Sequence, residues 1–406
     1  MFLKVIFVFT ILFSGRGFSA CNINNADDIL NLIKMHHPSI KLNNSKQLVL
    51  EKNIDLAEQR PNPEIGLASS IGDSIAGNVY TNAISFQHII EVGGKRASRV
   101  KKATLEKFAG GTVAGNENQE TIIDAIIKIH KIRQINELTA LYAESLGAFN
   151  KIIRRMRGWK SLSPEQHVEK LTLELVINDY KLKISKLKAD KIYINKHLTF
   201  YMGGNCVIPE RAIPKLVKLD EDFASNISVE GHAKLRSARY NLEIATVNYQ
   251  LEKAKSYPDI KIGPSFEFEK VNFSETRTIG IAVNFALPFF HANGGGRAKA
   301  SKEIITASLN LKRVAEESRL DMYSWISVYR NFKKSLKSIS KKEELEKKHQ
   351  KIESLFKRGI ISTSLVIEAH RQLIEFTDTR FEFELGAVEA KWQIYKIIGE
   401  LKTRKL

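Results

Sequence analysis

Ten histidines and two cysteines are the residues of this 406-residue chain best suited to metal or nucleophilic chemistry. Metal and catalytic sites bring such side chains together at short fixed spacings, as in H-E-x-x-H on a helix or C-x-x-C at a turn. Neither spacing occurs, and His36 with His37 is the one histidine cluster along the chain. Gly93-Gly94-Lys95 resembles part of a phosphate loop, but Ile89 stands where that loop's first glycine belongs and Arg96 where its Ser or Thr belongs. A phosphate cradle is therefore rejected. His88 and His291 stand singly near strand ends, where packing histidines are commoner than ligands. No catalytic residue, metal site or cofactor is expected.

The N-terminus carries a different kind of chemistry. "MFLKVIFVFTILF" places Lys4 before an apolar run from Val5 to Phe13, and the small-residue stretch "SGRGFSA" follows. That is the order of a secretory signal, expected over residues 1–20. The run is too short to span a bilayer permanently, and no later segment approaches about 18 apolar residues. Cys21 directly follows "FSA", close to a bacterial lipobox in which that cysteine is lipidated, although Phe18 replaces the usual Leu and Arg16 interrupts. The other fate is cleavage near Ala20, with Cys21 a free or paired thiol. With Cys206 the second of only two cysteines, a disulfide framework is not the stabilising plan. The net charge of +18 suggests nucleic acid or an anionic surface. Export argues against nucleic acid, and much of the charge falls in 332–358, a solvated helical surface.

The elements that would position any site occur twice. The stretch 37–66 lays over 232–263, so that His37 falls on His232, Pro63 on Pro258, Glu64 on Asp259 and Ile65 on Ile260. Gly93, Gly94 and Lys95 fall on Gly295, Gly296 and Arg297, and "RGWKSLS" (157–163) on "RGIISTS" (358–364). The landmarks keep their order, which marks a duplicated unit of roughly 200 residues. In each unit a helix ends at a proline and two strands follow. A very long helix, an Arg-Gly turn and a return helix complete it.

The strands alternate. Ile279, Ile281, Val283, Phe285 and Leu287 interleave with Gly280, Ala282, Asn284 and Ala286, giving one apolar face and one polar or small face. Pro264 conflicts with a central ladder and calls for a bulge or a late strand start. Met322, Trp325, Tyr329, Phe332, Leu336 and Ile339 step by three and four, a coiled-coil seam. From Arg297 to Lys357 one straight helix would measure about 90 Å. The matching stretch of the first unit contains "FAGGTVAGN" (108–116), whose glycines predict a kink or break.

Two hairpins give four strands, too few to enclose a channel. An exported sheet with an apolar outer face must close or be covered, so closure requires several copies; three would supply twelve strands. The same copies set the helices side by side as a second cylinder. The paired glycines Gly93, Gly94, Gly295 and Gly296 would make the strand-to-helix turns. Lys95, Arg96 and Arg297 would sit where the chain leaves the membrane, meeting lipid headgroups or forming a solvated charge cluster.

At "RPNPEIGL", "EVGGKRASRVKKA", "SYPDIKIG", "ALPFF" with "GGGRAKA", and "FKRGIISTSLVIEAHRQL", the chain resembles the TolC-like outer-membrane efflux proteins, over nearly its full length after residue 25. "GGKRASR" is most similar to the branch serving cobalt–zinc–cadmium or copper–silver exporters. The resemblance implies a mainly α fold with a small β part: a trimer with a twelve-stranded barrel in the outer membrane of a Gram-negative bacterium and a helical barrel in the periplasm. It divides the chain into repeat 1 (25–201), an equatorial linker (202–224) and repeat 2 (225–406). It implies a passive conduit rather than an enzyme. Such a conduit takes heavy-metal cations or other toxic compounds from an inner-membrane RND pump through a periplasmic adaptor. By the same resemblance, Arg157, Gly158 and Ser161, with Arg358, Gly359 and Ser362, lie at the turns that dock the adaptor. Glu368 could form a cation-attracting ring at the tip, while Leu365 stands where a second acid is usual. The competing expectation is a periplasmic coiled-coil scaffold, lipid-anchored at Cys21, which leaves the apolar strand faces unexplained.

Overall fold

The computed structural model describes residues 21–406, except 76, 205, 225, 226, 340, 341 and 402. The expected signal segment lies outside the described residues. Helices α1 (Ala26–His36) and α2 (Pro38–Glu58) lead into a hairpin, β1 (Glu64–Ser74) and β2 (Gly77–Ile90). Helix α3 (Lys95–Arg157) follows and returns as α4 (Pro164–Tyr201). After a linker the order recurs: α5 (Ala233–Ala254), β3 (Ile260–Val271), β4 (Ser274–Phe285), α6 (Gly294–Ser338), α7 (Lys342–Lys357) and α8 (Thr363–Ile398). His37 and His232, which the alignment superimposes, are the residues that begin α2 and α5, and both are buried. His37 Nδ1 accepts from the Ser39 backbone N–H at 3.1 Å, while His232 Nδ1 lies 2.8 Å from Ser318 Oγ.

The four strands form one antiparallel sheet in the order β1-β2-β3-β4, with β1 and β4 at its edges. One register holds throughout: Leu67 faces Ile84, Ile84 faces Phe266, and Phe266 faces Ile279. The expected bulge at Pro264 is absent. Pairing of β2 with β3 runs from Val79–Val271 to Ser85–Ser265 and resumes at His88–Ile262 in the same register. The neighbouring Gly263 lets the strands cross this interval, since a Cβ there would lie 1.8 Å from the Phe86 carbonyl oxygen.

Two expectations about the helices are corrected. Helix α3 runs 63 residues without interruption through 108–116. Its glycines serve packing: a Cβ on Gly110 would meet Leu50 at 2.3 Å and one on Gly111 would meet Gln47 at 2.9 Å, so α2 lies close along α3. The break falls instead in the second unit, where α6 ends at Ser338 and Ile339 is extended at ψ 159°. Ser338 and the β-branched Ile339 weaken helix locally.

Two apolar clusters organise the helices. One gathers α1, the middle of α3, the end of α4, the linker, α6 and α8 around Ile126, Leu198, Met322, Tyr329 and Trp392. The other lies between α3, α4 and α8 around Phe149, Leu173, Tyr180 and Phe381. The seam residues Met322 and Tyr329 are buried, with Trp325, Phe332 and Leu336 packed against them.

Burial pushes the imidazoles of His130 and His232 down to about 4, aided at His130 by the Arg133 charge and at His232 by Lys234. Between about pH 6.5 and 4 the unfolded chain therefore binds protons that the folded chain refuses. Their contribution is complete above pH 6.5 and is lost as the pH falls toward 4. Urea unfolding of detergent-extracted protein should show stability falling over this window, by up to about 3 kcal/mol per histidine. His232→Gln should flatten the slope; an unchanged slope would rule out this source. Gly263→Ala should destabilise by about 1–3 kcal/mol. Gly72→Ala, with open space at its Cβ, should be neutral or gain about 0.5 kcal/mol in the same measurement.

Candidate functional site

The sheet turns its apolar side chains outward. Leu67, Ile279 and Ile281 are 76%, 77% and 76% exposed, and Ile65, Ile71, Tyr80, Ile84, Phe86, Ile90, Phe266 and Phe268 join them on one face. The opposite face carries Ala68, Ser70, Ala83, Ser85, Ser265, Glu267, Gly280 and Ala282, as period two requires. His88 lies on the apolar face and His291 in the segment between β4 and α6. Among the described residues no helix is long and apolar enough to cross a membrane.

At the base of the sheet, Lys95, Arg96 and Arg99 have protein partners. Lys95 Nζ pairs with Asp259 at 2.6 Å, and Arg96 Nε donates to the Glu58 carbonyl at 2.7 Å. Arg99 grips Glu91 with two nitrogens, at 2.7 and 3.2 Å, and donates to the Ala57 and Gln59 carbonyls. These last carbonyls of α2 have no partner within the helix, so the guanidinium both caps them and meets the negative end of the dipole. Gly93 and Gly94 both adopt φ of 79°, as their turn requires. The second turn differs from expectation. Gly295, Gly296 and Arg297 are already in the first turn of α6, and the left-handed residue is Asn293, at φ 51°. Its amide reaches back to Glu252, which substitutes a side-chain clamp for glycine's freedom.

At the far end of the helices both turns meet one apolar cluster, to which Met156 and Leu162 contribute from one side and Phe356 and Ile361 from the other. Arg157 and Arg358 are exposed there, as are Gly158, Ser161, Gly359 and Ser362, and Trp159 and Ile360 add apolar surface. Gly359, at φ 72°, ends α7 with two bonds: its own N–H to Phe356 and the Ile360 N–H to the Leu355 carbonyl. Gly158 stays right-handed. Ser362 caps α8, whereas Ser163, not Ser161, caps α4 and exchanges bonds with Gln166. The two serines aligned by sequence thus do different local work.

Glu368 is half-buried beside this end and bound on its own helix: both oxygens accept from Arg371, at 2.7 and 2.9 Å, and one accepts from Gln372. The Arg371 hydrogen bond, then Gln372, hold its carboxyl below the ordinary range. A ring of Glu368 side chains would bring its own arginines. Leu365 is exposed.

The linker is fixed to the helices it crosses. Lys333 Nζ donates to the Glu221 carbonyl and Asp222, both at 2.7 Å, Arg330 donates to Phe223, and Phe223 packs edge-on against Tyr329 and Tyr395. Cys21 and Cys206 form a disulfide across 185 residues, tying the start of the described chain to this linker. The thioether of a lipidated cysteine and a disulfide would compete for the one thiol of Cys21, and the bond to Cys206 corresponds to the paired-thiol alternative.

Between the linker and the tip, buried polar groups join α3 to α8. Arg133 bonds Glu384, itself also held by Arg380, and Gln134 donates to the Phe381 carbonyl at 2.8 Å. Closer to the tip, His349 of α7 and His370 of α8 lie ring to ring at 4.5 Å, with Glu353 beside them. Burial pushes His370 down to about 4, with the neighbouring His349 acting in the same sense. Sequence inspection missed this grouping, because α7 must fold back on α8 before residues 21 apart can meet. Its visible trace was His349 and Glu353, four apart and so on one helix face.

No protein-family model and no curated protein matches the chain. Solved structures do. The chain is similar to the open-state MtrE outer-membrane channel of Neisseria gonorrhoeae, with a TM-score of 0.73 and 14% identity over 93% of this chain and 90% of that one. It is also similar to CusC, a protein that forms a transmembrane channel, with a TM-score of 0.72 and 12% identity over 96% and 95%. The CmeC outer-membrane channel of Campylobacter jejuni matches with a TM-score of 0.70 and 12% identity over 93% and 86%. The chain therefore has the fold of the TolC-like channels: long helices joined to a four-stranded antiparallel contribution. CusC stands among several such structures and is not set apart from them.

Thiol titration checks the disulfide. The purified, unreduced protein should present no free thiol, and Cys206→Ser should lower stability by about 2–4 kcal/mol. A reactive Cys206 alongside a blocked Cys21 would restore the lipid.

Proposed function

We propose that the chain is the outer-membrane channel of a tripartite export system, working as a passive conduit rather than an enzyme. The observation that carries this reading is the outward apolar face of a sheet whose two edge strands are free within one chain, joined directly to helices of up to 63 residues. Apolar side chains recur on this face of β2 from Tyr80 to Ile90. That is about 34 Å along the strand, shortened to about 25 Å by the roughly 40° tilt of membrane barrels, the height of their apolar band.

In this reading three copies close β4 of one chain on β1 of the next, giving twelve strands in the outer membrane of a Gram-negative bacterium. The helices of repeat 1 (25–201) and repeat 2 (225–406) line a periplasmic tube, and 202–224 forms a belt around it. A periplasmic adaptor docks at the turns carrying Arg157, Gly158, Ser161, Arg358, Gly359 and Ser362. The inner-membrane RND pump chooses the cargo, heavy-metal cations or other toxic compounds. Support for the partners comes from the exposed, partly apolar tips and the channel fold. The scaffold alternative gives the apolar face nothing to cover it.

Membrane fractionation followed by mass measurement in detergent should find three chains per complex in the outer membrane; a soluble periplasmic monomer or dimer would sink the channel and leave the scaffold. Leu67→Lys, on the apolar face, should reduce the yield of assembled trimer, costing about 2–4 kcal/mol, whereas Ser70→Lys on the other face should assemble normally. Equal behaviour of the two variants would show that no lipid covers the face.

A further inference from the structure

We propose that His349, Glu353 and His370 form a binding site for a divalent transition-metal ion of the zinc class, tying α7 to α8 beside the tip. The site does not depend on the chain's being a channel. Nitrogen and carboxylate donors in a set of two histidines and one glutamate are a known zinc ligand set with a fourth position left for water. His349 and Glu353 stand one turn apart on α7, and His370 faces them from α8. The ligand atoms of all three lie within 4.8 Å of one another.

The separations suit an ion. Two ligands of a tetrahedral zinc, each about 2.0–2.1 Å from the metal, are about 3.3–3.4 Å apart. The two Nε2 atoms here are 3.4 Å apart. The remaining adjustment falls on Glu353, a half-buried side chain whose other neighbour is the exposed Lys357, at 3.6 Å. A flexible carboxylate between buried imidazoles and solvent also supplies the path of entry.

The surrounding hydrogen bonds set the tautomers. Ser145 Oγ on α3 donates to the Leu141 carbonyl at 2.9 Å, so it accepts at 2.9 Å from His370 Nδ1–H. His349 Nδ1 is turned to the Glu144 carboxylate, 3.8 Å away, which favours the proton on that nitrogen. With those protons placed, both Nε2 atoms are acceptors, and His349 Nε2 lies 3.3 Å from His370 Nδ1 and 3.4 Å from His370 Nε2. A cation satisfies both. Ser145 and Glu144 then take the place that outer-shell carboxylates and hydroxyls hold at histidine metal sites, fixing ring orientation. Phe149 packs edge-on against His370 at 5.1 Å and closes the apolar side.

An ion there would have a structural effect as well. Helix α7 follows the extended Ile339 and rests chiefly on α8. A bond from His349 and Glu353 to His370 fixes it across that contact.

The test uses the full-length protein in detergent, stripped with chelator and titrated with Zn²⁺ alone. One ion per chain should bind, and hydrogen exchange across α7 should slow. Co²⁺ in its place should give the visible absorption of a tetrahedral nitrogen–oxygen site. His349→Gln should abolish binding, and Ser145→Ala should weaken it about tenfold. Because the buried variants risk misfolding, Glu353→Gln is the second probe; it should keep the native oligomer and weaken Zn²⁺ at least tenfold. Absence of Zn²⁺ binding, or affinities in Glu353→Gln and His349→Gln equal to the parent's, would overturn the site.

Discussion

Strands β1 and β4 each present one row of backbone N–H and C=O groups that no strand of the same chain can satisfy. In water, such an edge beside an outward row of Ile, Leu and Phe invites aggregation; in lipid, each unsatisfied group costs several kcal/mol. A single chain escapes neither penalty. Pairing the edges with other copies would remove both at once. Strands bound into a shared ring must deliver their helices around the same axis, and the base of the sheet is built to hold that direction. Arg99 locks the exit of β2 to the end of α2 through Glu91 and the Ala57 and Gln59 carbonyls. Lys95 of the first unit pairs with Asp259 of the second, while Lys261 of the second pairs with Glu64 of the first. The two units are thus braced against each other through carboxylates at matched positions, Glu64 and Asp259.

Away from the sheet the energetics are those of helix packing. The apolar seam of α6 buries Met322 and Tyr329 against the linker and α8, and the buried Lys333 is partnered there by Asp222 and the Glu221 carbonyl. Between the linker and the tip, the Arg133–Glu384 pair holds α3 to α8 where a lone charge would be costly. At the exposed tips Trp159 and Ile360 remain partly in water.

Much of this was legible in the residues. Period two along Ile279–Leu287 and the three-four steps along Met322–Ile339 are direct imprints of strand and helix geometry, and the repeated order located the turns. What could not be read were matters of what packs on what. Gly110 and Gly111 look like helix breakers by propensity, yet α2 lies against them and the helix continues. The break at Ile339 had no glycine or proline to mark it. Asn293 took the left-handed role expected of Gly295 and Gly296 because its amide found Glu252. The disulfide joined two cysteines whose separation carried no spacing signal, and Ser163 displaced Ser161 because Pro164, three residues after Ser161, has no N–H for a cap to accept from.

The bond between Cys21 and Cys206 also changes the topology of the chain. It closes the whole first unit, both its strands and the α3–α4 hairpin, into a covalent ring from which the second unit extends as a tail. A protease nick at the exposed Trp159 turn would open that ring without releasing a fragment, whereas one at Gly359 would leave two pieces joined only by their packing. The two tips, alike in sequence, are therefore unequal in their tolerance of damage.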